Sequence, residues 1–304
     1  MNTSVGQGES NMSWRWSMVW SDERGGWWRV PLTLVLYVIG VVLGMALYTQ
    51  ANISGLKAAM GSHPAHVQEI VPLVATLLIT GLGLGGCLIG VRFVHHKPIA
   101  RLFTDGRPFG VGLALISAAL WAGLWLAWTV MLPGAWEGMK KRAGEIPLVW
   151  WPVVIVACIG AMTMGRTAEE VLFRGYLQTR MAAWIKRPWV AVGVVAIIFN
   201  VMHRGNAAAH TAITLFGIVW GAACIRAGTL APAIGAHVVH DTLEVLLRPS
   251  GHSKDVNATT TWVEVVLISV ALAVWFVWLI WATRNKPTDS TSHPLPETVA
   301  ASGG

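Results

Sequence analysis

The sequence predicts an all-α fold: a polytopic transmembrane bundle of about eight helices with a short interfacial amphipathic helix. Three observations carry this. Hydrophobic residues make up 54% of the 304 residues and charged residues only 12%, about half the roughly 25% of a soluble domain. The chain holds 18 Trp against 3 Tyr, and 32 Gly. Apolar stretches recur at the length of about 20 residues that a helix needs to cross a bilayer. Together these exclude a disordered chain, a disulfide-stapled mini-domain and a coiled coil.

The stretches run over 30–49, 70–93, 110–132, 149–168, 188–203, 210–225, 228–247 and 262–283. The first three and the last are clear; polar and ionisable residues interrupt the middle four. Residues 1–26 are largely polar and lack the basic start and short apolar core of a signal peptide, so the first apolar run is read as a retained span. Tyr176–Arg187 mixes Leu177, Met181, Trp184 and Ile185 with Arg180, Lys186 and Arg187, the pattern of a helix lying at the interface. Pro188 then opens the next span. Gly81–Gly86 reads GLGLGG with no aspartate after it and is assigned to helix packing at small residues. The chain divides into a cytoplasmic N-terminal segment (1–29), a transmembrane domain (30–283, motif-bearing core 149–247) and a disordered tail rich in Pro, Ser and Thr (284–304).

The formal charge is +7, and the basic residues sit mostly in short segments between apolar runs. With the N-terminus inside, thirteen Lys and Arg fall on the inner side and seven on the outer, Arg166 and Arg174 at a helix end being left out. The positive-inside rule then puts both termini in the cytoplasm of a multi-pass cell-membrane protein. The expected partners are the lipid bilayer and a protein or peptide substrate entering from it, not nucleic acid. Cys87, Cys158 and Cys224 each lie in an apolar run and read as small buried hydrophobes rather than metal ligands or a disulfide framework.

Ionisable residues inside membrane spans are costly and mark functional sites by default. The first three spans and the last carry one carboxylate, Glu264 near an entry end, whereas the fourth ends in Glu169-Glu170 with Arg174 beyond. The fifth closes with Asn200 and His203, and the seventh holds His237, His240, Asp241 and Glu244. Glu170 and Arg174 are four residues apart and share a helix face. Glu169 is rotated by about 100° from Glu170, so one carboxylate can meet a cavity while Arg174 holds the other. His237 and Asp241 have the same four-residue spacing, and a carboxylate so placed can orient an imidazole. Taken singly, each group also reads as an ordinary interfacial charge; Glu244 in particular can reach the headgroups. Their co-occurrence on three spans is what points to chemistry.

Two carboxylates and two histidines in an apolar cavity suit water activation. A desolvated carboxylate serves as general base, one histidine shares the water, and a second donates to the oxyanion formed on the attacked carbonyl. The sequence has no HExxH zinc helix and no GxSxG elbow. Glu169, His203 and His237 could also hold zinc with an open fourth position.

At these residues the chain resembles the CPBP family of intramembrane proteases (CAAX proteases and bacteriocin-processing enzymes, also called ABI). The family motifs EExxxR, FxxxH and HxxxN/D correspond here to Glu169-Glu170-Val-Leu-Phe-Arg174, Phe199-Asn-Val-Met-His203 and His237-Val-Val-His-Asp241, over roughly residues 150–245. The resemblance implies an eight-helix endopeptidase with an active site inside the membrane. Glu169 would be the catalytic glutamate, activating water with His203. His237 with Asp241 would stabilise the oxyanion, and Glu170 with Arg174 would shape the site. An asparagine at the last motif position can donate to an oxyanion; Asp241 donates only if protonated and is therefore expected to orient His237. Phe199 belongs to the second motif. His240 is an imidazole the motif does not demand and is read as a supporting group. Three alternatives stand beside a glutamate-based protease: a zinc-dependent version of it, a non-proteolytic scaffold or immunity protein on the same fold, and a proton-coupled transporter. No inverted repeat supports the last.

Overall fold

A computed structural model describes residues 26–51, 65–132, 135–247 and 260–284. The N-terminal segment up to residue 25 and the tail from residue 285 lie outside the described residues. Ten α-helices follow in order among those described. They are α1 (Arg29–Ala51), α2 (Ala65–Ile89), α3 (Val111–Met131), α4 (Ala135–Glu145), α5 (Trp151–Glu170), α6 (Thr179–Ile185), α7 (Pro188–Val201), α8 (Ala207–Ala227), α9 (Ala231–Leu247) and α10 (Trp262–Arg284). Among these residues the chain forms no β-strand, only a bridge between Thr104 and Thr229. All eight apolar stretches are helical, and the protein is an all-α multi-pass bundle.

Among the described residues, six helical runs are long and apolar enough to cross a membrane, including a continuous one over Leu148–Ile185. The two helices that carry the second and third motifs are shorter. At about 1.5 Å per residue, α7 and α9 extend about 21 and 26 Å, less than the roughly 30 Å hydrocarbon thickness. Each is cut short by polar sequence: His203 and Arg204 follow α7, and α9 begins at the turn after Gly228.

Tyr176–Arg187 is helical but is not a separate surface element. A π-helical stretch, Val171–Gln178, runs straight from α5 into α6. Tyr176, Gln178, Thr179 and Arg180 are buried, while only Trp184 and the turn beyond it reach the exterior. Of the three charges that suggested a water-facing stripe, Arg180 turns inward beyond the wider π turn, whereas Lys186 and Arg187 are exposed. The buried Tyr176 hydroxyl is 2.9 Å from His95 Nε2, tying this stretch to the end of α2. The sequence reading also passed over α4, which is amphipathic and too short to register as a span; its buried Arg142 stands 3.4 Å from Glu145.

The outside of the bundle is apolar. Val35, Val38 and Val42 on α1 and Val270, Val277 and Trp281 on α10 are all exposed, as suits lipid as the solvent. The centre is α8, with 61% of its apolar window buried against 22–33% for the other spans. Around it lies an aromatic core containing Trp121, Trp125, Trp220 and Trp275. The three cysteines are buried, as expected.

Specific contacts fix α9, the helix that bears the third motif. Gly228 ends α8 with φ of 67°, a left-handed cap that favours glycine. Asp105 N–H donates to Gly228 O and Leu230 N–H donates to Phe103 O, each at 2.9 Å. Ser117 Oγ donates to Pro232 O at 2.7 Å and accepts from Trp275 Nε1 at 3.0 Å, joining α3, α9 and α10. Gly86 meets α1 so closely that a Cβ there would lie 2.2 Å from Leu36 O, the packing expected of the GLGLGG run. Helix ends are capped: Asn206 Oδ1 accepts from Ala209 N–H at 2.9 Å at the start of α8. Thr261 and Glu264 form a reciprocal capping box at the start of α10.

Gly235 lies against α3, where an added Cβ would sit 2.1 Å from Ala114 O, a backbone atom that cannot step aside. Gly235→Ala should therefore destabilise the bundle by about 1–3 kcal/mol, read as a lower thermal-unfolding midpoint in detergent. An unchanged midpoint would show that α9 is not held by this contact.

Candidate active site

The site forms where α5, the turn after α7, and α9 converge beside α8. From α5 come Arg166, Glu169 and Glu170, with Arg174 one turn on in the π stretch. Phe199 comes from α7 and His203 follows it. From α9 come His237, His240, Asp241 and Glu244.

Glu170 and Arg174 pair across one turn, Oε1 to Nη1 at 3.2 Å, with side chains 0% and 1% exposed. The same Oε1 accepts a 2.7 Å hydrogen bond from His237 Nδ1. A carboxylate beside a permanently charged guanidinium only accepts, so Nδ1 carries the hydrogen and His237 turns Nε2 toward the interior. The carboxylate that orients His237 is thus Glu170, not Asp241 as the spacing suggested. The i,i+4 spacing does bring Asp241 close, but its Oδ2 is 3.9 Å from His237 Nε2, beyond hydrogen-bond reach. Trp220 lies over His237, ring centroids 4.5 Å apart. Phe199 sits between Arg174, whose guanidinium is 4.4 Å from its ring, and His203, whose ring is 4.5 Å away.

The adjacent carboxylate has a different partner, as its rotation on the helix requires. Glu169 Oε1 accepts from Arg166 Nη1 at 2.5 Å. Arg166 Nε is 2.9 Å from Asp241 Oδ2, so one guanidinium joins α5 to α9. The second oxygen of Glu169 lies 3.8 Å from His237 Nε2. Sequence reasoning set Arg166 aside as a helix-end charge. Its spacing of three residues before Glu169, on the face toward the motif, was the signal that could have found it.

His203 Nδ1 donates to Phe199 O at 2.7 Å. In the neutral ring this leaves the lone pair on Nε2. Beside it Asn200 Oδ1 is 2.7 Å from His210 Nδ1, a histidine that the motifs do not include. His240 is packed among aromatic rings, nearest Phe216 at 4.9 Å, with Nε2 3.9 Å from Asp241. Glu244 accepts from Trp125 Nε1 at 3.0 Å.

These groups surround a cavity of about 390 Å³. Arg166, His203, His237 and Asp241 line it, with Phe216 and Ile213 among its apolar walls. Glu169, its side chain 19% exposed like that of Arg166, stands beside this cavity and is bonded to its wall through Arg166. Three carboxylates (Glu169, Glu170, Asp241) meet two guanidiniums (Arg166, Arg174). With both histidines neutral, the cluster carries one excess negative charge.

Among the described residues, no three His, Cys, Asp or Glu side chains converge to hold a metal ion. Glu169 accepts from Arg166 through Oε1, and His237 and His203 make their hydrogen bonds through Nδ1.

Fold and site define a multi-pass membrane protein with an acid–imidazole centre built from three helical segments. Residues 145–243 match the family model described as Type II CAAX prenyl endopeptidase Rce1-like. The match bears out, over the segment that bears the motifs, the resemblance read from them, and it supports a protease of the CAAX type. The chain is also 24% identical over 223 residues to the uncharacterized protein YyaK of Bacillus subtilis (strain 168), covering 68% of this chain and 71% of that protein. No solved structure matches the chain.

The pairing makes a stability prediction. Arg174→Met would leave Glu170 charged, buried and without its guanidinium, a loss of about 3–5 kcal/mol. Thermal unfolding in detergent should show a large drop in midpoint. Wild-type stability would mean that Glu170 needs no partner there.

Proposed function

We propose that this protein is an intramembrane endopeptidase that hydrolyses a peptide bond of a membrane-associated or lipidated protein or peptide. One observation carries the reading: Arg166, His203, His237 and Asp241, drawn from three helical segments, line one cavity with apolar walls. Apolar walls keep bulk water out and strengthen every electrostatic interaction inside. The family match over residues 145–243 supports the same class.

In this mechanism Glu169, with Nε2 of His203, takes a proton from the attacking water. The water oxygen bonds to the carbonyl carbon and the carbonyl oxygen becomes an oxyanion. Doubly protonated His237 donates from Nε2 to that oxyanion while Nδ1–H stays on Glu170. This form of His237 also cancels the excess negative charge of the cluster. Collapse of the intermediate breaks the C–N bond. The proton held by Glu169 passes to the leaving nitrogen, giving a new carboxylate and a new amine. Arg174 acts through Glu170 and is a positioning residue. The reading places the protein in the cell membrane with both termini in the cytoplasm, which the balance of Lys and Arg supports.

Glu169→Ala, His203→Ala and His237→Ala should each abolish cleavage by the purified protein in proteoliposomes while the unfolding midpoint stays within a few degrees of wild type. Cleavage at the wild-type rate by all three variants would overturn the assignment.

A further inference from the structure

The wall of the cavity that should receive negative charge carries a negative group of its own. Asp241 lines the cavity and its Oδ2 pairs with Arg166 Nε at 2.9 Å. An ionised carboxylate has no hydrogen to donate and repels a developing oxyanion. Arg166 lines the same cavity, with its side chain 19% exposed. Its guanidinium has five N–H donors. One bonds Glu169 Oε1, and Nε lies 2.9 Å from Asp241 Oδ2 in an ion pair. Among the described residues no acceptor is paired with Nη2. The ion pairs to Glu169 and Asp241 grip the guanidinium from two helices, which fixes its plane before any substrate arrives. Such preorganisation is what makes a donor effective in the transition state.

We propose that Arg166 is a catalytic residue of this chain: it supplies the oxyanion donor on the Asp241 side of the cavity, with Asp241 acting as its holder. The proposal rests on the proteolytic reading above. The water still adds to the carbonyl carbon and its proton still goes to Glu169. Arg166 forms and releases only hydrogen bonds to the oxyanion, beside that from His237. The competing role is charge balance, in which Arg166 does no more than neutralise Asp241 and Glu169.

The two roles separate in double variants. The assay uses the purified full chain in detergent and a fluorogenic peptide built on a sequence whose cleavage is lost in Glu169→Ala. Arg166→Met should lower kcat by about 10²–10³-fold, the usual effect of removing one oxyanion donor, with KM little changed. In that background Asp241→Asn restores an N–H donor on the same wall. Asp241→Leu removes the unpaired charge but offers no donor. The expected result is that Arg166→Met/Asp241→Asn regains kcat by about tenfold and Arg166→Met/Asp241→Leu does not. Equal recovery in both, or wild-type kcat in Arg166→Met, overturns the proposal in favour of charge balance. If Arg166→Met alone fails to fold, the comparison of the two double variants, which lack the Asp241 charge, decides the matter. Absence of any Glu169-dependent cleavage by wild type would instead sink the proteolytic reading itself.

Discussion

A charge inside a bilayer must have a partner, and the chain Arg174–Glu170–His237 is this protein's main answer to that constraint. Glu170 is fully buried, and a single oxygen both accepts from His237 Nδ1 and lies 3.2 Å from Arg174 Nη1. Removing Arg174 would strand a charge that the low dielectric does not tolerate. The helices around it are placed to keep this contact. The run from α5 into the π stretch keeps Arg174 one turn from Glu170. The Gly228 turn and the Gly235 contact set the depth of α9, and with it the height of His237.

The same constraint explains why the site has two layers. Arg174 and Glu170 form the inner, fully enclosed one. Arg166, Glu169 and Asp241 form the outer one, half-buried beside the cavity. His237 stands between them, bonded to the inner carboxylate and facing the two outer ones at 3.8 and 3.9 Å. A group held rigidly on one side and facing negative charge on the other suits a proton-bearing donor to an oxyanion. The first three helices and α10 bear none of the motif residues. They contribute apolar outer surface and, through Trp121, Trp125 and Trp275, much of the packed core.

Much of this was legible in the sequence, because the bilayer enforces simple rules. Length and hydropathy found every long helix. The cost of ionisable residues in lipid singled out Glu169, Glu170, His203, His237 and Asp241, and helical periodicity found the Glu170–Arg174 pair. What was missed depends on contacts between helices or on departures from ideal periodicity. The π stretch changed the facing of Gln178 and Arg180, so a buried polar run read as an interfacial one. Within α9, spacing alone paired His237 with Asp241. A carboxylate from α5 and an arginine from the same helix took up those two groups instead. His210 meets Asn200 through packing of α7 and α8, and the aromatic rings gather around His240 through packing of α3, α8 and α9; no local pattern announces either.

The central claim is that the polar cluster cuts peptide bonds in the membrane. The most direct measurement compares peptide termini, by mass spectrometry, in membranes and medium of host cells expressing wild type or Glu169→Ala at equal levels. The account expects a set of new termini present with wild type and absent with the variant, which would also identify the substrate. Identical termini in the two, with both proteins folded and inserted, would contradict it and favour a scaffold role for the same fold.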